Sequence, residues 1–275
     1  MRETRVVLSG LGFPESTRWH GGRTWLCNWG TGEVLAVTPG GEHDTVARLA
    51  PRTLPFSIDW LPDGRLLIID GPRRRLLRAG QDGQLTTVAD LSGFGAAPFN
   101  ELVVDGAGNA YINGAPGKIW LVRPDGQASE VADGLLWPNG MAIVDGGRTL
   151  VVADSHARQL IGFDVAADAT LSARRVWAAL EHAPDGICAD ADGAVWAASV
   201  PGQQCMRVRE GGEVLATVAA DRGCFACMLG GEDGRTLFIG VGQWRGMEAA
   251  MTDGPGRTGQ LIAAAGQAAP HDGRP

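Results

Sequence analysis

GGRTLVVADS, residues 146–155, sets a Gly-Gly turn directly before an apolar, partly β-branched run that ends on Asp-Ser. The same phrase recurs as GGRTWLCNW at 21–29, DGRLLIID at 63–70, GNAYING at 108–114, DGAVWAAS at 192–199 and DGRTLFIG at 233–240. The equivalent glycines are Gly22, Gly64, Gly108, Gly147, Gly193 and Gly234, separated by 42, 44, 39, 46 and 41 residues. A glycine just ahead of a strand suits a hairpin turn that needs positive φ. Self-similarity at such a period marks a repeat architecture.

An apolar stretch also precedes these turns: SIDWL at 57–61, ELVVD at 101–105, GMAIV at 140–144 and GICAD at 186–190. Two more strands follow each phrase. Examples are RLLRA at 75–79 with LTTVAD at 85–90, and KIWLVRP at 118–124 with SEVAD at 129–133. Their connections, QDGQ at 81–84 and PDGQ at 124–127, are hairpin turns. Each unit is therefore four short strands, which is the make-up of a propeller blade. The expected fold is all-β: a six-bladed β-propeller of four antiparallel strands per blade, one domain over residues 1–275. The sixth unit is a strand short. GQLIAAA at 259–265 supplies its third strand and RVVLSG at 5–10 its fourth, so the N-terminal strand closes the ring and leaves no bare edge. Residues 174–182 and 243–260 are the stretches with a pattern compatible with short helices.

Composition narrows the function. Hydrophobic residues make up 44% and charged residues 20%, enough for a sizeable core. The net charge of −7 argues against a sequence-independent nucleic-acid partner, which needs a basic surface. Arg73, Arg74 and Arg75 form the one basic run and read as a solvated turn. No apolar run reaches the roughly 18 residues of a membrane span, and MRETRVVLSG lacks the apolar stretch of a signal peptide. Five cysteines without a secretory signal point to reduced thiols and a cytoplasmic protein. The expected partner is a small-molecule substrate, and nothing in the sequence specifies an oligomeric state.

In a propeller, equivalent positions on the inner strands converge on the axis. About eight residues before the repeat glycines stand Glu15, Phe56-Ser57, Asn100, Asn139, Asp185 and Ala226-Cys227. Four of these positions carry a side-chain oxygen: Glu15, Asn100, Asn139 and Asp185. Two carboxylates brought together without a countercharge repel, and at least one keeps a proton. A divalent cation resolves the conflict. Oxygen donors without His or Cys suit a hard cation, Ca²⁺ first, then Mg²⁺ or Mn²⁺, with Zn²⁺ as a further option.

GFPES at 12–16, FNELVVD at 99–105, WPNGMAIV at 137–144, VADS at 152–155 and PDGICAD at 184–190 resemble the regucalcin (senescence marker protein)/gluconolactonase family. The resemblance extends in order over nearly all of the chain. It implies a six-bladed propeller that binds a divalent cation and hydrolyses lactones. It implies Glu15, Asn139 and Asp185 as metal ligands, with Asn100 completing the site and touching substrate. It also implies Asp185 as general base. Pro98 stands where sugar-lactone members often carry Arg, and Glu101 where Asp is commoner. With Phe56, Phe99, Trp137, Trp29 and Phe225 nearby, the expected substrate is less hydroxylated than gluconolactone, and Phe99, Trp137, Asn100 and Glu101 are the expected substrate contacts. A non-hydrolytic cyclisation or isomerisation, as in strictosidine synthase-like propellers, and a binding protein with a structural cation are the alternatives. Cys224 and Cys227 form a CxxC and are read as ordinarily buried thiols, His182 precedes the Pro-Asp-Gly motif and is read as a loop residue, and the adjacency of Ser155 and His156 does not make them a catalytic pair.

Overall fold

Six four-stranded antiparallel sheets follow one another around a ring in the computed structural model, which describes residues 4–50, 53–80, 82–246, 256–267 and 269–270. Their inner strands are Pro14–His20, Phe56–Trp60, Phe99–Val104, Pro138–Val144, Ile187–Ala189 and Gly223–Gly230. Each inner strand touches that of the next blade, and the sixth touches the first. The sixth sheet is built as Gly223–Gly230, Thr236–Gly242, Gly259–Ala264 and Thr4–Leu11. Thr4 lies opposite Ala264 and Arg5 opposite Ala263, so the N-terminal strand closes the ring as expected.

The six repeat glycines carry φ values from 69° to 93°, the left-handed turn geometry that the phrase calls for. The strands that follow them are buried on both faces, as Leu66–Asp70 and Val195–Ser199 show. That is why they read as continuous apolar runs rather than alternating ones. The core lies between blades. Leu67 and Ile69 of blade two pack on Leu102, Ile112 and Trp120 of blade three. Leu26 and Val37 of blade one pack on Phe238 and Leu261 of blade six, sealing the ring. Each such Leu, Val or Phe contributes about 1.5–3 kcal/mol when fully buried.

Residues 174–182 are mostly strand, not helix. Leu171–Ala179 forms the outer edge of blade four, with Ile161 opposite Val176 and Gly162 opposite Arg175. The open edge of Gln159–Val165 needs backbone partners, and that need outweighs the helical preference of Ala178, Ala179 and Leu180. Within 243–260, residues 247–255 lie outside the described residues, and the described remainder is irregular up to the strand Gly259–Ala264. Helical structure among the described residues is limited to single 3₁₀ turns at Ser92–Phe94 and Asp145–Gly147. None is long and apolar enough to cross a membrane.

Candidate active site

The inner strands lose their register where the channel-facing oxygens sit. In blade one Glu15 pairs with Cys27, and the next pair is Arg18 with Trp25. In blade three the ladder skips from Phe99 to Leu102, leaving out Asn100 and Glu101. In blade four it skips from Pro138 to Met141, leaving out Asn139 and Gly140. Such bulges re-aim a side chain that a regular strand would point into the neighbouring blade. Phe13 and Ser16 flank Glu15 with φ of 55° and 48°, a left-handed conformation that costs energy in non-glycine residues.

Glu15, Asn100, Asn139 and Asp185 come together in the lining of one cavity of about 810 Å³. Pro55, Pro98, Pro116, Pro138, Pro184 and Pro201 also line it, with Phe13, Trp29, Phe225 and Trp244 on the side of blades one and six. Asn100 Nδ2 donates to Asn139 Oδ1 at 3.1 Å and to the Pro138 carbonyl at 3.2 Å. Asn113 donates through Nδ2 to the Asn139 carbonyl at 2.6 Å and accepts from the Glu101 amide at 3.2 Å. The Gly140 amide donates to the Asp185 carbonyl at 3.1 Å, and the Gly186 amide to the Phe225 carbonyl at 2.8 Å. Blades three to six are thus tied to one another at the level of the site.

The two carboxylates are poorly solvated. Glu15 is buried, and Asp185 is half-buried with an enclosed Oδ1 that has no hydrogen-bond partner. Burial first, then the charges of Asp185 and Glu101, hold the Glu15 carboxyl well above its usual range. Burial first, then the charges of Glu101 and of the Cys227 sulfur, do the same to Asp185. Among the described residues no three His, Cys, Asp or Glu side chains group as a metal centre. A cation at this place would therefore rest on two carboxylates and two amides.

Not every expected contact faces the cavity. Phe99 is 2% exposed and meets Trp120 edge-on at 4.7 Å in the seam between blades two and three. It is the last registered residue before the bulge, so its ring points away from the channel. Phe56 is likewise core, packed among Cys27 and Ile58; only its carbonyl serves the site, accepting from Trp29 Nε1 at 2.7 Å. Glu101 is 5% exposed and does not line the cavity, because Arg18 draws its carboxylate inward at 3.0 Å. Trp137 does line it, partly exposed and stacked on His156 at 5.0 Å. Cys227 is buried with its sulfur 3.7 Å from the Gly186 carbonyl, and Cys224 is buried beside it in the same cluster. His182 packs over Gly202, outside the cavity.

Ser155 and His156, set aside in the sequence as a catalytic pair, both line the cavity. Ser155 Oγ donates to the Pro184 carbonyl at 2.6 Å and accepts from Asn139 Nδ2 at 3.4 Å, so one hydroxyl braces both site loops. Asp154 accepts from the amides of Leu136 and Trp137 at 2.8 and 2.9 Å and shapes the loop that carries Trp137. The signal was the polar residue at or next to the end of five of the six repeat phrases. Its counterparts act similarly: Asn28 Oδ1 accepts from the Gly12 amide at 2.8 Å, and Ser199 Oγ donates to the Ala183 carbonyl at 2.8 Å.

The fold superimposes on luciferin-regenerating enzyme with a TM-score of 0.84 at 15% identity, covering 100% of this chain and 98% of that one. It superimposes on a gluconolactonase from Xanthomonas campestris with a TM-score of 0.78 at 19% identity, covering 96% and 90%. A calcium-binding regucalcin from Agrobacterium tumefaciens gives 0.78 at 18% identity, covering 98% and 97%. At such identities the likeness establishes the fold. No curated protein matches the chain. The family profile of the SMP-30/gluconolactonase/LRE-like region, however, matches residues 14–243. With that match over most of its length, the chain belongs to the SMP-30/gluconolactonase/LRE-like family.

Proposed function

We propose that the chain is a divalent-cation-dependent hydrolase that opens lactones bearing apolar substituents. The observation that carries this reading is a pair of poorly solvated carboxylates, Glu15 and Asp185, set with Asn100 and Asn139 in an otherwise largely apolar cavity. Family membership supports a lactonase. The Xanthomonas campestris relative is a gluconolactonase, and the Agrobacterium tumefaciens relative is calcium-binding.

The residues fit a cation on three counts. The donors of Glu15, Asn139 and Asp185, completed by Asn100, are all oxygens, as Ca²⁺ prefers and as Mg²⁺, Mn²⁺ or Zn²⁺ accept. Two carboxylates balance a double positive charge. The enclosed Asp185 Oδ1 has no other partner to lose. When bound, such a cation polarises a lactone carbonyl and eases ionisation of a nearby water.

The remaining work falls to side chains. Asp185 takes the proton of the attacking water on its carboxylate. Its raised proton affinity suits a base, and the cation's field opposes that rise. As the ring C–O bond breaks, the same proton passes to the leaving alkoxide, giving a hydroxy acid. Asn100 holds the substrate through its amide, and Ser155 keeps Asn139 and the loop before Asp185 from relaxing. Among the described residues lining the cavity there is no Lys or Arg, and Pro98 stands where a sugar-binding Arg would act. The hydroxyls of a sugar lactone would lose water there without finding partners, whereas an alkyl or aryl substituent would not.

The test is a lactone panel with Ca²⁺ or with chelator. Alkyl- and aryl-substituted lactones should exceed gluconolactone in kcat/KM by at least about tenfold. Chelation should remove at least about 100-fold of the activity, restored by Ca²⁺. Chelator-resistant turnover would refute the cation dependence. A panel with no turnover would refute the hydrolase.

A further inference from the structure

Glu15 and Asn100 each have a charged neighbour that the proposed reaction does not use. Arg18 and Glu101 are 3% and 5% exposed, and Arg18 Nη2 lies 3.0 Å from Glu101 Oε1. Arg18 also donates to the Leu102 carbonyl at 2.9 Å and to the Thr17 carbonyl at 3.1 Å. The same Glu101 oxygen accepts from the Leu102 amide at 3.0 Å and from Ser16 Oγ at 3.4 Å. The pair is therefore fixed in place. Its members sit on the bulged segments of blades one and three, the segments that present Glu15 and Asn100.

A buried ion pair adds little to stability over apolar residues of similar volume, because two charges must leave water. This one is joined to the site through Ser16, which follows Glu15 and whose Oγ lies 3.4 Å from Glu101, itself the residue after Asn100. Glu101 acts on both Glu15 and Asp185, and Arg18 opposes its effect on Glu15. Counted over carboxylates and guanidinium alone, three negative charges and one positive leave two. Without Arg18 there would be three.

We propose that Arg18, paired with Glu101, holds the carboxylate charge around the cation site at a net minus two, which keeps the affinity ratio of trivalent to divalent ions below that of a site at minus three. The inference rests on the cation site argued above. Arg18 does not line the cavity. It is a positioning residue whose charge acts on the ion from a distance. Charges in a poorly solvated interior interact more strongly than in water, and the attraction scales with the charge of the ion. Adding a negative charge therefore tightens a trivalent ion more than a divalent one.

The test compares chelator-treated full-length protein as wild type, Arg18→Met, Arg18→Lys, Glu101→Gln and the double variant Arg18→Met/Glu101→Gln. Each is titrated with Ca²⁺ and with Tb³⁺ by calorimetry. Arg18→Met should raise the Tb³⁺:Ca²⁺ affinity ratio at least about tenfold, and Glu101→Gln should lower it by a similar factor. The double variant and Arg18→Lys, which keep two negative charges, should hold the wild-type ratio within about threefold. If Arg18→Met fails to fold because Glu101 is left unpaired, Glu101→Gln and the double variant decide the matter. An unchanged ratio in the folded single variants, with wild type still binding Ca²⁺, overturns the role of Arg18 and leaves the site standing. A wild type that binds neither ion removes the site, and this inference with it.

Discussion

Replacing Asp185 by Asn is expected to lower lactone turnover by roughly 10³-fold, mainly through kcat, while the propeller stays folded. The amide has the shape of the carboxylate but takes up no proton, and it withdraws one of two negative charges facing the cation. The backbone ties survive: the Asp185 amide still donates to the Ala198 carbonyl at 2.8 Å, and its carbonyl still accepts from the Gly140 amide at 3.1 Å. Stability supplies a second readout. Glu15 and Asp185 both have carboxyl groups raised above the usual range by burial and by neighbouring negative charge. Between the unfolded and folded pKa values the native state holds more protons, so stability falls as pH rises through that window. Metal-free wild type should therefore melt lower at pH 7 than at pH 5, and Ca²⁺ should raise its Tm more at pH 7. In Asp185→Asn the pH slope should flatten and the Ca²⁺-induced shift should shrink. Near-wild-type turnover with an unchanged Ca²⁺ shift would remove Asp185 from both roles.

The second large effect concerns a residue with no side chain. At Gly186 an added Cβ would lie 2.7 Å from Ala226 Cα and 2.9 Å from the Phe225 carbonyl oxygen. At Gly140 it would lie 2.5 Å from the Ile187 amide nitrogen and 2.7 Å from the Asp185 carbonyl oxygen. The obstacles are mainly backbone of the next blade, so no rotamer change relieves them. Gly186→Ala should cost about 3 kcal/mol of stability, the upper end for overpacking, because it spreads blades five and six. It should also displace Asp185 and lower activity beyond the loss of folded protein. Denaturant melts and turnover per folded molecule measure the two effects. A variant within about 0.5 kcal/mol of wild type, the range of ordinary surface changes, would show that the blades do not approach this closely.

Most of the fold was legible because a blade is a local object. Its turn glycine, its hairpins and its apolar strands lie within one repeat. The closing strand followed from a shortage of strands in the sixth repeat. Glu15, Asn100, Asn139 and Asp185 were legible for a related reason: a shared phase in a ring means a shared destination.

Side-chain direction next to a bulge was not legible. Phe99 and Asn100 are adjacent, yet one enters a seam and the other the cavity, because the break in register falls between Phe99 and Leu102. Alternation alone cannot locate that break. The partner of Glu101 is Arg18, 83 residues away, and no local pattern announces it. The strand at 171–179 was hidden because its conformation is imposed by a neighbouring edge rather than by its own residues. Ser155 was set aside because its partner is the Pro184 carbonyl, a backbone group that leaves no trace in residue type.

The claim beneath all of this is that four oxygen-bearing side chains from blades one, three, four and five hold one divalent cation. The most direct measurement is an anomalous difference map from a crystal of the protein soaked in Mn²⁺. The account predicts one strong peak in the cavity, about 2.0–2.6 Å from carboxylate or amide oxygens of Glu15, Asn100, Asn139 and Asp185. A map without that peak, or with its strongest peak held by other residues, would contradict it.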